Sequence, residues 1–140
     1  MLSFTSHSPA ETEEFAASAV APKLQKGDVL AFRGGLGAGK TTFTRGLARG
    51  LGADGEVSSP TFALVHEYAG DPTLYHFDMY RIANFDDLYS TGFFDYLDCG
   101  GILAIEWSEN IEGALPENTI RVTLTPDGEN RIITLEGGPF

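Results

Sequence analysis

Cysteine is almost missing from this chain. Its 140 residues hold one, Cys99. A single thiol excludes an internal disulfide and fits a reducing compartment, so a cytoplasmic protein is expected, with Cys99 a small buried hydrophobe. One cysteine and three scattered histidines, His7, His66 and His76, leave no zinc-ligand pattern. No run approaches the ~18 consecutive apolar residues of a membrane-crossing helix. The first ten residues lack a basic stretch followed by an apolar one, so no secretory leader is expected. Basic residues are scarce too: nine Lys and Arg stand against 20 Asp and Glu, a net charge of −11. Beyond position 50 the only cations are Arg81, Arg121 and Arg131. A surface this acidic does not gather a phosphate backbone by counterion release, which argues against direct binding of DNA or RNA. No Asn is followed by Lys, so the guanine-reading Asn-Lys-x-Asp motif of GTPases is absent. There are no repeats, low-complexity stretches or linkers, and one domain over 1–140 is expected.

What the chain does contain is Gly34-Gly35-Leu36-Gly37-Ala38-Gly39-Lys40-Thr41, a match to G-x-x-x-x-G-K-[ST]. The apolar run Val29-Leu30-Ala31-Phe32 precedes it and a helix-like stretch, 42–51, follows. That strand–loop–helix context is what a phosphate-binding loop requires. Its glycines let backbone N–H groups turn inward toward phosphate oxygens. Lys40 can reach the outer phosphates, and the Thr41 hydroxyl can ligate the accompanying magnesium. The helix that follows offers its positive dipole end to the same anion.

The remaining pattern is α/β. Positions 11–24 read as a helix with Ala16, Val20 and Leu24 on one face, capped by Ser8 or Thr12 and ended near Ala21 by Pro22. Strands are expected at Val29–Arg33, 62–68, 74–80, 102–105, 120–125 and 131–135, the third pairing with the second as a hairpin and the last two forming another. Positions 84–97 read as two short helices, capped by Asn84 and broken at Gly92. Positions 108–116 read as helix or loop.

A phosphate loop also needs a carboxylate from a neighbouring strand. Ligands of open α/β sheets sit at the carboxyl ends of strands, and two acids qualify. Glu106 ends the pure apolar run Ile102-Leu103-Ala104-Ile105, and Asp78 ends the mixed strand before it. The plain alternative for each is a surface acid at a strand end. Thr61, beside Pro60, is the candidate for a residue that senses a γ-phosphate, and a simple Ser/Thr loop is the equal alternative. His66 and His76 read as satisfied sheet histidines. Trp107 reads as core, or as a stacking surface for a nucleotide or a partner.

In order and spacing, several segments resemble the TsaE family, the small bacterial ATPases needed for threonylcarbamoyladenosine formation on tRNA. They are the loop through Thr42-Phe43, Ser59-Pro60-Thr61-Phe62, His76-Phe77-Asp78-Met79-Tyr80-Arg81, Gly92 with Asp95-Tyr96, and Ile105-Glu106-Trp107. The resemblance covers nearly the whole chain. It implies a single compact P-loop NTPase domain, with a mostly parallel sheet flanked by helices and with added antiparallel hairpins. It implies ATP and Mg2+ as ligands. Gly37, Ala38, Gly39, Lys40, Thr41 and Thr42 would bind phosphates, and Thr12 and Arg131 match regions near the nucleotide. Thr41 and Glu106 would hold magnesium, Asp78 would support hydrolysis, and Thr61 would belong to a switch-like loop. The implied partner is a TsaB–TsaD complex that carries out the transfer, so tRNA would be met only indirectly. The chain departs from the family at Gly35, where Asp is usual; a backbone cradle survives that change, but any role of that carboxylate near the metal does not. The competing readings are a small-molecule kinase, for which the chain has few lid arginines, and a nucleotide-dependent binding switch with negligible turnover.

Overall fold

The strand Val29–Arg33 (β2) sits near the middle of the molecule because its first four side chains have no water to face. In the computed structural model, which describes residues 1–33, 39–53, 55–58 (backbone only) and 65–140, β2 lies between two parallel neighbours. On one side is Ile102–Glu106 (β6), in register Val29↔Leu103 to Ala31↔Ile105. On the other is Ile120–Asp127 (β7), from Leu30↔Ile120 to Arg33↔Thr123. Strands buried on both faces read as continuous apolar runs, and β2 and β6 do.

Leu74–Asp78 (β5) pairs in parallel with the far side of β6. The edges are antiparallel. Val65–Ala69 (β4) joins β5 as a hairpin, and Gly55–Ser58 (β3) joins β4. Asn130–Glu136 (β8) returns along β7, and Leu2–Ser6 (β1) adds to β8. The order is β1-β8-β7-β2-β6-β5-β4-β3. The expected α/β class holds, but the sheet is mixed rather than mostly parallel. Three pairings are parallel and four antiparallel, because each hairpin adds its own pairing outside the parallel centre.

Alternation along β2 and β6 divides the core in two. Leu30, Phe32, Ile102 and Ala104 meet Phe15, Ala16, Val20, Phe43 and Leu47 on one face. Val29, Leu103 and Ile105 meet Phe77, Leu88, Phe93 and Ile111 on the other. The first face is covered by Pro9–Phe15 (α1), a π-helical turn Ala16–Val20, a 3-10 turn Ala21–Lys23 and the helix Lys40–Gly50 (α2). The second is covered by Phe85–Ser90 (α3), Phe93–Leu97 (α4) and a 3-10 stretch Ser108–Ala114. α1 starts at Pro9, two residues before the expected start, because Ser8 is the cap: its Oγ accepts from the Glu11 N–H at 3.1 Å. The two-helix reading of 84–97 holds. Asn84 Oδ1 accepts from the Asp87 N–H at 2.9 Å, and Gly92, at φ +79°, makes the break.

Two elements stand where no strand was expected, β1 and β3. Cys99 is exposed, not buried. It lies past the end of α4 in the turn before β6, outside the packed layers, where its thiol donates to the Tyr96 carbonyl at 3.0 Å.

Candidate functional site

Parallel pairing of β5 with β6 matches Asp78 to Glu106 as direct partners at the carboxyl ends of both strands. His76 pairs with Ala104, two residues earlier, so His76, Asp78 and Glu106 point to one face of the sheet. That face carries Leu74, Ile102 and Ala104 into the cluster beneath α2. The Glu106 carboxylate, its side chain 17% exposed, approaches His76 Nε2 at 3.3 Å. The contact is within ion-pair range but lacks hydrogen-bond alignment, since His76 Nε2 has no hydrogen-bond partner. The imidazole beside it holds the Glu106 carboxyl below its ordinary range; burial opposes this, and Lys40 adds a smaller electrostatic pull. Glu106 is therefore a carboxylate at neutral pH. Asp78 Oδ1 accepts the Tyr80 N–H at 3.0 Å, and the Glu106 carbonyl accepts the Met79 N–H at 3.0 Å, so both acids are tied to the turn that follows β5.

Lys40 is the first residue of α2 and only 6% exposed. Its Nζ lies 5.8 Å from the centre of the Trp107 ring, within cation–π range. Trp107, directly after Glu106, has φ +58°, a left-handed conformation costly for a bulky residue and unique among the described non-glycine residues. Its ring meets Tyr80 edge-on at 5.0 Å. Gly39, at φ +105°, adopts a conformation that glycine alone takes easily, and a Cβ there would come within 3.1 Å of Leu124. From it the chain enters α2, with the Phe43 N–H donating to the Gly39 carbonyl at 2.7 Å. Thr41, on the opening turn, is exposed.

A second group surrounds a cavity of about 190 Å³ lined by Ser6, Thr12, Gly39, Thr42 and Arg131, among others. Thr12 is buried, its Oγ1 2.6 Å from Ser6 Oγ. Ser6 pairs with Arg131 across β1 and β8. Four expected nucleotide contacts, Thr12, Gly39, Thr42 and Arg131, therefore share one cavity. Gly39 lines it, and the next residue, Lys40, reaches Trp107 and the field of Glu106.

The chemistry of this donor set suits a phosphate–magnesium ligand. Magnesium takes hard oxygen ligands, usually one or two carboxylates completed by waters and phosphates. Asp78, Glu106 and the Thr41 hydroxyl are such oxygens. Among the described residues no three His, Cys, Asp or Glu side chains converge on one point. Gly37, Ala38 and Thr61, with the rest of 34–38 and 59–64, lie outside the described residues.

Three residues of the site, Ser6, His7 and His76, lie outside the sequence-based expectations, and so does the backbone turn at Trp107. Ser6 and His7 reach the cavity on β1, whose Leu2–Phe4–Ser6 alternation was a faint strand signal. His76 is more than a sheet histidine: it is the principal neighbour of Glu106. The left-handed turn at Trp107 has no signature in the sequence.

Comparison with known proteins gives one consistent answer. The profile of the family described as "Threonylcarbamoyl adenosine biosynthesis protein TsaE" matches residues 6–133. The tRNA threonylcarbamoyladenosine biosynthesis protein TsaE of Treponema pallidum is 44% identical over 114 residues, 80% of this chain and 84% of that protein. The protein of the same name from Rickettsia typhi is 38% identical over 139 residues, 97% of this chain and 95% of that one. The crystal structure of Bacillus subtilis YdiB superposes with a TM-score of 0.77 at 34% identity, covering 97% of this chain and 84% of that one.

Proposed function

Because this chain belongs to the TsaE family of tRNA threonylcarbamoyladenosine biosynthesis proteins, we propose that it is the ATP-binding and ATP-hydrolysing subunit of that modification. The domain, 1–140, is a P-loop NTPase acting in the cytoplasm on a TsaB–TsaD partner pair. The observation that carries this reading is the direct pairing of Asp78 with Glu106 at two strand ends, with Lys40 at the start of α2 acting electrostatically on Glu106.

The residues divide the work as follows. Backbone N–H groups of the 34–41 loop hold the phosphates, with Lys40 neutralising their charge. Thr41 and Glu106 would hold magnesium, which when bound draws charge off the phosphate oxygens. Asp78 orients the attacking water. The water oxygen bonds to the γ-phosphorus as the bond to the β–γ bridging oxygen breaks, releasing ADP and phosphate. Thr61 reads the γ-phosphate. The nucleoside occupies the cavity of Thr12, Thr42 and Arg131. With a net charge of −11, this subunit leaves tRNA to its partners.

The test is phosphate release from ATP with Mg2+, measured with and without a purified TsaB–TsaD pair. Release that rises when the pair is added is expected. A phosphorylated acceptor in a metabolite screen would replace this reading with a kinase. Tight ATP binding with no release even beside the pair would leave a switch.

A further inference from the structure

Large apolar side chains are exposed at only four places among the described residues: Met1, Tyr80, Phe85 and Tyr89. Three of them fall between positions 80 and 89, each more than 60% exposed. Phe85 stacks on Tyr89 at 6.2 Å and meets Phe94 at 5.8 Å. Beside them a groove of about 340 Å³ runs between α3, α4 and the 3-10 stretch, with Ile82, Leu88, Phe94 and Ala114 in its walls. Scattered exposed apolar residues need no explanation, but a contiguous aromatic patch over an apolar groove marks a contact surface.

The chain segments that form and flank the groove are acidic on balance. From Arg81 to Glu117 the chain carries eight carboxylates against the single cation Arg81. Glu112 is committed to Arg33 and Arg121, at 3.0 and 2.6 Å. Asp86, Asp95 and Glu109 are exposed and enter no ion pair among the described residues. The groove is also continuous with the candidate site. Tyr80 lies against Trp107, the residue after Glu106 and the neighbour of Lys40. Asn110, in the groove wall, donates from Nδ2 to the Met79 carbonyl at 2.9 Å, one residue past Asp78.

We propose that this groove docks a protein partner that inserts a bulky apolar side chain flanked by lysine or arginine. The inference rests on the reading of this chain as a subunit acting on a TsaB–TsaD pair and assigns the surface it uses. A second copy of this chain is the poorer occupant, because a two-fold interface would press two acidic rims together. The turn at 79–80 then lies in the path from the docked partner to Asp78 and Trp107.

The experiment immobilises a purified TsaB–TsaD pair and measures binding of the full-length wild type, Phe85→Ala, Tyr89→Ala and the double reversal Asp86→Lys with Asp95→Lys. Each aromatic truncation is expected to weaken binding by about tenfold or more, as central aromatic anchors do. The reversal is expected to weaken it and flatten its salt dependence. ADP affinity and melting temperature are expected to stay at wild-type values, since none of these residues lines the nucleotide cavity. If the wild type binds and all variants bind equally, the groove assignment is overturned while the functional reading stands. If the wild type does not bind the pair, the functional reading falls and the groove assignment with it. A dimer of the chain alone that Phe85→Ala disperses in ultracentrifugation would overturn the choice of partner.

Discussion

Replacing Lys40 with methionine separates what the side chain does for the ligand from what it does for the fold. Lys40 is 6% exposed, so its stem is packed and its charge is shielded from water. Methionine keeps most of the stem volume and loses the ammonium. In the folded protein the loss removes a cation–π contact at 5.8 Å, worth about 2 kcal/mol for a cation shielded from water, and an attraction to Glu106. It also relieves the desolvation of a buried cation, which acts in the opposite direction. The net change in stability is expected within about 1 kcal/mol, a shift of roughly 4 °C or less in melting temperature for a chain of this size. On the ligand side the loss is one-sided. A charge-assisted hydrogen bond to phosphate is worth about 1.5–3 kcal/mol, so ADP affinity should fall roughly 10- to 150-fold. Calorimetric titration of ADP beside a thermal melt reads both. Wild-type affinity in a folded Lys40→Met protein would refute the placement of Lys40 at the phosphates. A melting temperature lower by much more than the expected shift would mean that the lost affinity reports the fold.

Other substitutions and titrations probe separate parts of the molecule. Glu106→Gln should lower Mg2+-dependent hydrolysis by about 100-fold, the upper end of what even outer-shell metal partners cost, while leaving the protein folded and ADP-competent. The Glu106 carboxyl is held below 4.5, so its charge persists as pH falls and is lost only below about that value; a pH–rate profile that breaks on its account near pH 6 would contradict this. Gly46→Ala, despite a gain of about 1 kcal/mol in helix propensity, should destabilise by about 2 kcal/mol net, because the new Cβ meets the Glu13 carbonyl and the Ala16 side chain; chemical denaturation measures it. Burial, with smaller effects from Cys99, Glu67 and Tyr96, pushes the Tyr75 phenol up to about 12. A folded value above the unfolded one of about 10 means the stabilisation is complete below pH 10 and fades as pH rises toward 12, so an alkaline absorbance titration should show a late phenol that Tyr75→Phe removes.

Which parts of the molecule could be read in the sequence follows from how local their causes are. β2 and β6 were legible because burial on both faces writes an unbroken apolar run. The break between α3 and α4 was legible because a left-handed position there calls for glycine, and Gly92 supplies it. β1 was not, since what makes it a strand is an edge of β8 about 130 positions away, Leu2 facing Leu135. The same distance hid Ser6 and His7 from the cavity. The balance of parallel and antiparallel pairing depends on which strands the hairpins join, which no single segment encodes. Asp78 and Glu106 could be proposed one at a time as strand-terminal acids, but their pairing is a matter of register. His76 reads as a sheet residue because it lies in a strand pattern; its direct cross-strand partners are His66 and Ala104, and it reaches Glu106 diagonally, a relation visible only once the strands are aligned.

Register and helix packing together explain why the candidate site gathers at one end of this sheet. Glycine inside a helix costs stability, yet α2 has Gly46 and ends on Gly50. At both positions a Cβ would strike the turns of 9–20: at Gly46 the Glu13 carbonyl, at Gly50 the Ala17 carbonyl. The two glycines thus let α1 and the π-helical turn lie directly on α2. That close approach carries Thr12 toward Thr42 and Gly39, and the Thr12 hydroxyl holds Ser6 at the end of β1. On the sheet side the pairing of β5 with β6 brings Asp78 and Glu106 to the same level. The start of α2 is therefore met by a polar cavity built through glycine packing and by two carboxylates aligned through strand register. Lys40, one residue past the cavity-lining Gly39, sits where both devices meet, and Trp107 lies over it in a left-handed turn that begins where β6 ends.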